Sequence, residues 1–451
     1  MKFPAARATF AFVCAYILWV GGTYGQAPMA KPEELGLLVP RGQPAIEITD
    51  RSVILANDGS ASPVVAKVYV EIGDRYIVLL PDGSLSSVPI RETTPTDRPF
   101  EAASKDEIAE ALLKRFKGFK TRSTRRYLCI YNTTDEFCES KTAILETMYP
   151  MLVSYFKRQK LNVDTPDTPL VVVMFRTKAE FLKYRQMPDS LLAYYNAVNN
   201  RVFLYQYSDT FKNAPLIAIK QSTSTIAHEG VHQILHNIGV QKRLSSWPLW
   251  ISEGLAEYFA PTSTGSRSKW TGVGKPNSLR MRELFEHLRK SPQLGSGNLV
   301  QQLIAAERMN SADYATAWSL THYLATKRKK ELFAYLRELN EIAPLDESRD
   351  ELVRFMQHFG SDFATIEREM IKHIRSLPYS DPVLNQPYFL ITATSGTRKL
   401  ATITSSLDYG KVQRDMIAKL GAAERTKTRF FPIRSFPNRH LAQQAMLQFT
   451  R

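Results

Sequence analysis

The sequence predicts an α+β protein: a mainly helical central block around a mixed sheet, a small β block before it and a small basic α/β block after it. Three observations carry that expectation. Two-residue apolar alternation is confined to the stretch before residue 100, helical periodicity runs from 100 to 380, and the last block reads strand, turn, strand, helix. The 451 residues are 44% hydrophobic and 23% charged, which excludes collagen-like, low-complexity and wholly disordered chains.

Residues 1–25 read as a leader. Lys2 and Arg7 precede the apolar run Ala8 to Val20, and the small residues of Gly21-Gly22-Thr23-Tyr24-Gly25 follow, the pattern of a secretory signal peptide cut after Gly25. The apolar run is too short to span a bilayer, and no later run is longer, so the mature chain is expected outside the cytoplasm with no membrane span. Residues 26–99 alternate in Val64-Val65-Ala66-Lys67-Val68-Tyr69-Val70 and in Arg75 to Leu80, with Pro81-Asp82-Gly83-Ser84 as a turn. They predict a small barrel or meander, closed by a polar linker from Arg91 to Arg98. Residues 100–380 predict helices with strands near 126–132, 169–175 and 200–207. In the last block, 386–451, a turn at Ser395-Gly396 separates two strands; a helix near 409–420, a strand from Arg429 to Ser435 and a final helix follow.

The net charge is +15, and eight of those charges lie between Ile391 and Arg451, where 11 lysines and arginines face three acidic residues. A basic end favours an anionic partner. For an exported chain that partner is a cell-envelope component, and no nucleic acid is expected. With Cys14 in the leader, Cys129 and Cys138 remain. In an oxidising compartment this pair either forms a disulfide or stays as two buried thiols.

The chemistry-bearing pattern is His228-Glu229-Gly230-Val231-His232, an H-E-x-x-H sequence. On a helix, residues four apart share a face, so His228 and His232 can reach one metal ion with Glu229 beside it as a proton acceptor. A catalytic zinc site needs a third protein ligand and an open position. Glu253, in Trp250-Ile251-Ser252-Glu253-Gly254-Leu255-Ala256-Glu257-Tyr258-Phe259, follows His232 by 21 residues; Gly239 and Pro248 break the helix between them. Glu257, one turn further, can accept the free ring N–H of a ligand histidine. His236 extends the same face as His232 and reads as packing or support, because a fourth protein ligand would close the site. Tyr194 and Tyr195 read as core or rim aromatics.

This pair of segments resembles the gluzincin metallopeptidases of the peptidase MA superfamily, in which two histidines and a glutamate on a second helix hold zinc. The wider match is similar to an uncharacterised bacterial family of exported, gluzincin-like proteins. It extends over residues 100–380 and includes Asn199-Asn200-Arg201-Val202, Trp270-Thr271-Gly272-Val273-Gly274 and Tyr314-Ala315-Thr316-Ala317-Trp318-Ser319-Leu320. The resemblance implies a zinc peptidase acting on a peptide or protein, with His228, His232 and Glu253 as ligands and Glu229 as general base. Tyr314, in a Tyr-x-x-Ala segment 61 residues past Glu253, then matches the tyrosine that steadies the transition state, and His322 on the same helix is the alternative donor. There is no G-x-M-E-N segment, the feature that grips a free amino terminus in the aminopeptidase branch, so endopeptidase activity is expected over exopeptidase. Arg201 to Tyr205 is expected as an edge strand able to pair with an extended substrate or, equally, as an ordinary sheet strand. The competing reading is an inactive, envelope- or peptidoglycan-binding protein that keeps a relic of the zinc site, supported by the basic last block.

Overall fold

In the computed structural model, residues 31–56, 63–187, 191–207, 215–263, 269–270, 272–290, 294–346, 350–418 and 420–450 are described. The leader expected at 1–25, with Cys14, lies outside them.

Alternation dictates the first sheet. β1 (Ala45–Glu47), β2 (Ser52–Leu55), β3 (Val65–Ile72), β4 (Arg75–Leu79), β5 (Leu85–Pro89) and β6 (Thr93–Thr96) pair antiparallel, in the order β5-β4-β3-β2-β6 with β1 also on β3. A bulge between Val68 and Val70 shifts the register of β3 on β4. Ala66 and Val68 therefore pack with Val53 and Val78 in one small core, while Val70 and Ile72 pack with Ile77 and Leu79 in another. Half of the expected linker from Arg91 to Arg98 is instead a strand. β6 adds to the edge at β2, where Pro95, which has no N–H to give, costs the ladder nothing on its outer side.

The central sheet has the order β10-β11-β9-β8-β7, from β7 (Lys120–Ser123), β8 (Tyr127–Tyr131), β9 (Leu170–Thr177), β10 (Ala193–Asn196) and β11 (Arg201–Tyr207). The β8–β9 and β9–β11 pairs are parallel and the outer pairs antiparallel, so the sheet is mixed. Every residue of β8 is buried, as a strand covered on both faces requires. On one face Ile108, Leu112 and Phe116 of the segment begun by α1 (Lys105–Arg115) meet Phe181 of α3 (Lys178–Tyr184). On the other lie α2 (Asp135–Arg158) and α4 (Pro215–Asn237). Of the two readings open for Arg201 to Tyr205, the structure shows the ordinary interior strand, because β10 folds back antiparallel on it and takes the edge position.

The remaining helices build the large core. They are α5 (Leu249–Phe259), α6 (Ser278–Leu288), α7 (Asn298–Ile304), α8 (Ser311–Lys327), α9 (Lys329–Asn340), α10 (Glu351–Phe359) and α11 (Phe363–Arg375), with a two-residue pair β12 (Thr262–Ser263) and β13 (Lys269–Trp270) between α5 and α6. The last sheet centres on β14 (Tyr388–Ser395), flanked by β15 (Arg398–Thr404). α12 (Tyr409–Ala418) and α13 (Ala422–Thr426) follow. The strand expected from Arg429 to Ser435 is two, β16 (Thr428–Phe430) and β17 (Arg434–Phe436), which pair in turn with opposite ends of β14. Pro432 sits between them. α14 (Arg439–Thr450) completes the chain.

The first sheet is tied to the central one by Arg243, whose buried guanidinium donates to Gly83 O, Ala197 O and Val198 O at 2.8–2.9 Å. Arg201 adds an ion pair to Asp82 at 2.8 Å. Of the two readings open for the cysteines the structure shows the second: Cys129 and Cys138 are free, buried thiols, and the possible disulfide is absent. Cys129 lies on β8 and Cys138 in the first turn of α2; Thr142 Oγ1 stands 3.1 Å from one sulfur and 3.9 Å from the other, and donates its proton to Cys138 O at 2.7 Å. Among the described residues no helix is long and apolar enough to cross a membrane.

Candidate metal centre

The H-E-x-x-H segment falls in the second half of α4, where Ile226, Ala227, Val231, Ile234 and Leu235 are fully buried. Two contacts fix the rotation of that helix. Gln233 Nε2 donates to Val171 O at 3.1 Å and Asn200 O at 2.8 Å, pinning α4 to β9 and the start of β11, and Asn237 meets the Asn200 side chain at 2.7–2.8 Å. Gly230 lets α2 approach: a Cβ there would overlap Leu145 Cδ2. Gly254 does the same for α5 against α8, since an added Cβ would lie 2.8 Å from Ala317 O and collide with Thr321 Oγ1. Each glycine directly follows a site glutamate, and the close approach at Gly254 brings Tyr314's helix against the one that carries Glu253.

Three ligand atoms then converge. His228 Nε2 is 3.1 Å from His232 Nε2 and 3.0 Å from Glu253 Oε2, and His232 Nε2 is 3.5 Å from Glu253 Oε2. All three residues are buried, and their ligand atoms form the one such group able to hold a metal ion among the described residues. A tetrahedral ion with bonds of about 2.0–2.2 Å sets its ligands about 3.3 Å apart, so the observed triangle fits such an ion.

The charge balance agrees. Glu229, Glu253 and Glu257 are all buried at the site, and Arg280, the guanidinium set against them, is shared with half-buried Glu283 at 2.7 Å. A divalent cation supplies positive charge that this set lacks. Without one, His228 takes that place. Burial by itself would depress its pKa, but the carboxylates of Glu253 and Glu257 outweigh burial and push it up to about 10. Burial would raise the Glu253 carboxyl, but His232 and His228 pull it down to about 2. Glu257 lies below the usual carboxylate range in spite of burial, because of Arg280 and His228.

Glu257 Oε1 stands 3.1 Å from His228 Nδ1 and accepts from Arg280 at 2.6 Å, while its Oε2 accepts from Asn277 Nδ2 at 3.0 Å. The carboxylate behind His228 is thus itself held on both oxygens. Glu229 Oε2 accepts the Tyr195 backbone N–H at 2.8 Å, and burial raises its pKa against the pull of His228 and His232. Tyr314 of α8 is brought to the same place. Its ring lies 6.4 Å from that of His228 and 5.2 Å from the Arg280 guanidinium, and burial, then Glu253, raises its hydroxyl well above the usual range.

His322 goes elsewhere. Its Nδ1 faces His373 Nε2 at 2.9 Å and its Nε2 faces Gly274 O at 3.2 Å, so both ring nitrogens are engaged by groups outside the His-His-Glu cluster. His236 is buried, packs on the Tyr195 ring at 5.4 Å and takes no part in the cluster; burial holds its pKa well below the usual value. Tyr194 stacks on Phe203 in the core. Arg280, Asn277 and the Tyr195 N–H were not found by sequence reasoning. No motif marks them, although an arginine and an asparagine in the first turn of an amphipathic helix are a weak hint of inward polar contacts.

Fold and site together define a mixed α+β protein with a buried His-His-Glu cluster that can hold a metal ion. Residues 222–346, from the middle of α4 past α9, match a family described as "Protein of unknown function (DUF1570)". No curated protein matches. Nineteen chains of solved structures do. One is the crystal structure of an M1 zinc metallopeptidase from Deinococcus radiodurans, 12% identical, with a TM-score of 0.26 over 75% of this chain and 63% of that one. The chain thus covers less than two thirds of that protein's length.

Proposed function

We propose that this protein is an exported zinc-dependent peptidase, acting within polypeptides rather than at their amino ends. The observation that supports it most is the convergence of His228, His232 and Glu253 on one point with buried Glu229 on the same helix. Two imidazoles and one carboxylate form the donor set of an open catalytic zinc site. Bound there, zinc would lower the pKa of a water and polarise a carbonyl.

The chain's own residues do the rest. Glu229, steadied by the Tyr195 N–H, takes a proton from the attacking water and delivers it to the leaving amine as the C–N bond breaks. Tyr314 donates its hydroxyl to the oxygen that gains negative charge as the carbonyl carbon becomes tetrahedral. β10, with one edge paired to β11 and its Tyr195 N–H turned to Glu229, offers the other edge to an extended peptide.

The test is metal analysis beside peptide digestion. Purified wild type is expected to carry about one zinc per chain and to cleave internal bonds. Glu229→Gln should keep the zinc and lose a factor of about 10²–10⁴ in rate, the usual share of a general base, whereas His228→Ala should lose both. Wild-type rates in Glu229→Gln, or loss of its zinc as complete as in His228→Ala, would reject the assignment.

A further inference from the structure

Beside the metal cluster lies a cavity of about 250 Å³ that the proposed chemistry does not use. Phe137 and Lys141 of α2, Ala193 of β10, and Ser222 and Thr225 of α4 line it. Lys141 is 3% exposed. Its Nζ reaches Thr223 Oγ1 at 2.7 Å and Ser222 Oγ at 3.1 Å, and lies 5.0 Å from the centre of the Phe137 ring. Those partners are neutral. No carboxylate pairs with Lys141 among the described residues, and Glu136, which also lines the cavity, is exposed and forms no bridge to it. Burial accordingly pulls the amine down to about 7, with no nearby charge to oppose it. A buried lysine whose charge is uncompensated is costly, so one that opens onto a cavity is a place where an anion is strongly favoured.

The cavity's position says which anion. Thr225 is one helical turn before Glu229 on the same face of α4, about 6 Å along the axis. Ala193 is two residues before Tyr195 on the strand whose edge faces the site. An extended peptide advances about 3.3–3.6 Å per residue, so a side chain one or two residues from the reacting bond would reach the cavity. A volume of 250 Å³ suits one side chain and not a cofactor.

We infer that Lys141 binds the carboxylate of an aspartate or glutamate one or two residues from the bond that is cleaved, which makes the enzyme selective for acidic peptides. This rests on the peptidase reading given above. The Ser222 and Thr223 hydroxyls orient the amine, and the apolar wall from Phe137 and Ala193 excludes water from the pair.

Two measurements on the full chain separate this inference from that reading. In a peptide-library digest, wild type should enrich aspartate and glutamate at one fixed position within two residues of the cut, and Lys141→Met should lose that enrichment. In Glu229→Gln protein, a glutamate-containing peptide should bind about 10- to 100-fold tighter than its glutamine counterpart, the range for a hydrogen bond to a charged group. Adding Lys141→Met should bring that ratio to about one. Acetate and inorganic phosphate should compete far more weakly than the glutamate peptide. Cleavage with no acidic preference would overturn the inference and leave the peptidase reading standing. Selective binding without any cleavage would do the reverse. Equal binding of the glutamate and glutamine peptides in Glu229→Gln refutes the inference even if Lys141→Met does not fold.

Discussion

Two buried ionisable regions meet along α4, one at His228 and His232 and the other where Lys141 of α2 reaches Ser222 and Thr223, and they differ in how their charges are met. At the metal centre every carboxylate has company: Glu253 meets two imidazoles, Glu257 meets His228, Arg280 and Asn277, and Glu229 accepts a backbone N–H. At Lys141 a lone amine meets two hydroxyls and an aromatic ring. The difference teaches what each region is built for. At the cluster each carboxylate already has a partner within the protein and a cation adds the positive charge the set still lacks, whereas at Lys141 the charge has no partner until an anion enters. On the reading proposed above, the first would serve chemistry and the second recognition.

The comparison breaks if the compensation is not real, and the largest effect should come from testing that. Arg280→Met removes the guanidinium that shares Glu257 with His228 and leaves a buried carboxylate short of charge. The loss of one partner from a buried pair costs about 3–5 kcal/mol, so chemical denaturation of the zinc-free chain should show a drop of that order. Zinc affinity should also fall about 10- to 100-fold, the range seen when the groups behind a metal ligand are lost. A variant as stable and as zinc-avid as wild type would mean that Glu257 needs no partner.

A smaller effect sharpens the catalytic side. Tyr314→Phe should lower kcat about 10²–10³-fold with KM and zinc content near wild type, since the hydroxyl is used only once the oxygen becomes negative. His322→Ala should leave kcat within a few-fold, because His373 and Gly274 O already occupy both ring nitrogens. Steady-state kinetics on one peptide with both variants decides between them. The opposite pattern would return the donor's role to His322.

What could be read in advance was what local periodicity encodes. His228, Glu229 and His232 are set by a helix period of 3.6 residues, and Glu253 and Glu257 by the same period on a second helix, so their shared faces follow from spacing alone. The three central strands were visible as apolar runs. What depends on contacts distant in sequence was not visible. Arg280 reaches Glu257 from another helix, and β10 occupies the edge next to Arg201–Tyr207, although Ala193 to Asn196 has no alternation to announce it. His322 shares a helix with Tyr314, but Gly274 and His373, on other segments, decide where its ring points. The pairing of Thr93–Thr96 with β2 is likewise a long-range event that a proline-bearing, polar stretch conceals.

The smallest expected effect tests the uncompensated side by pH. Lys141 has its pKa pulled down to about 7 in the folded protein, below the ordinary lysine value that it regains on unfolding. Below pH 7 both states carry the proton and the folded chain bears the full burial penalty. Above pH 7 the folded state releases the proton while the unfolded state keeps it, so stability rises with pH until the unfolded lysine also titrates. Between pH 7 and 9 that rise amounts to about 2 kcal/mol from this one residue. Urea denaturation at a series of pH values, on wild type and Lys141→Met, isolates it. Subtracting the two curves removes every group they share and should leave a gap that is widest near pH 7, with the methionine variant the more stable, and that narrows steadily towards pH 9. A difference that does not change with pH would mean that the lysine keeps its charge when folded, through a partner that the cavity supplies. Repeating the series on Glu229→Gln protein with the glutamate peptide present should flatten the curve, because a carboxylate in the cavity returns the missing charge.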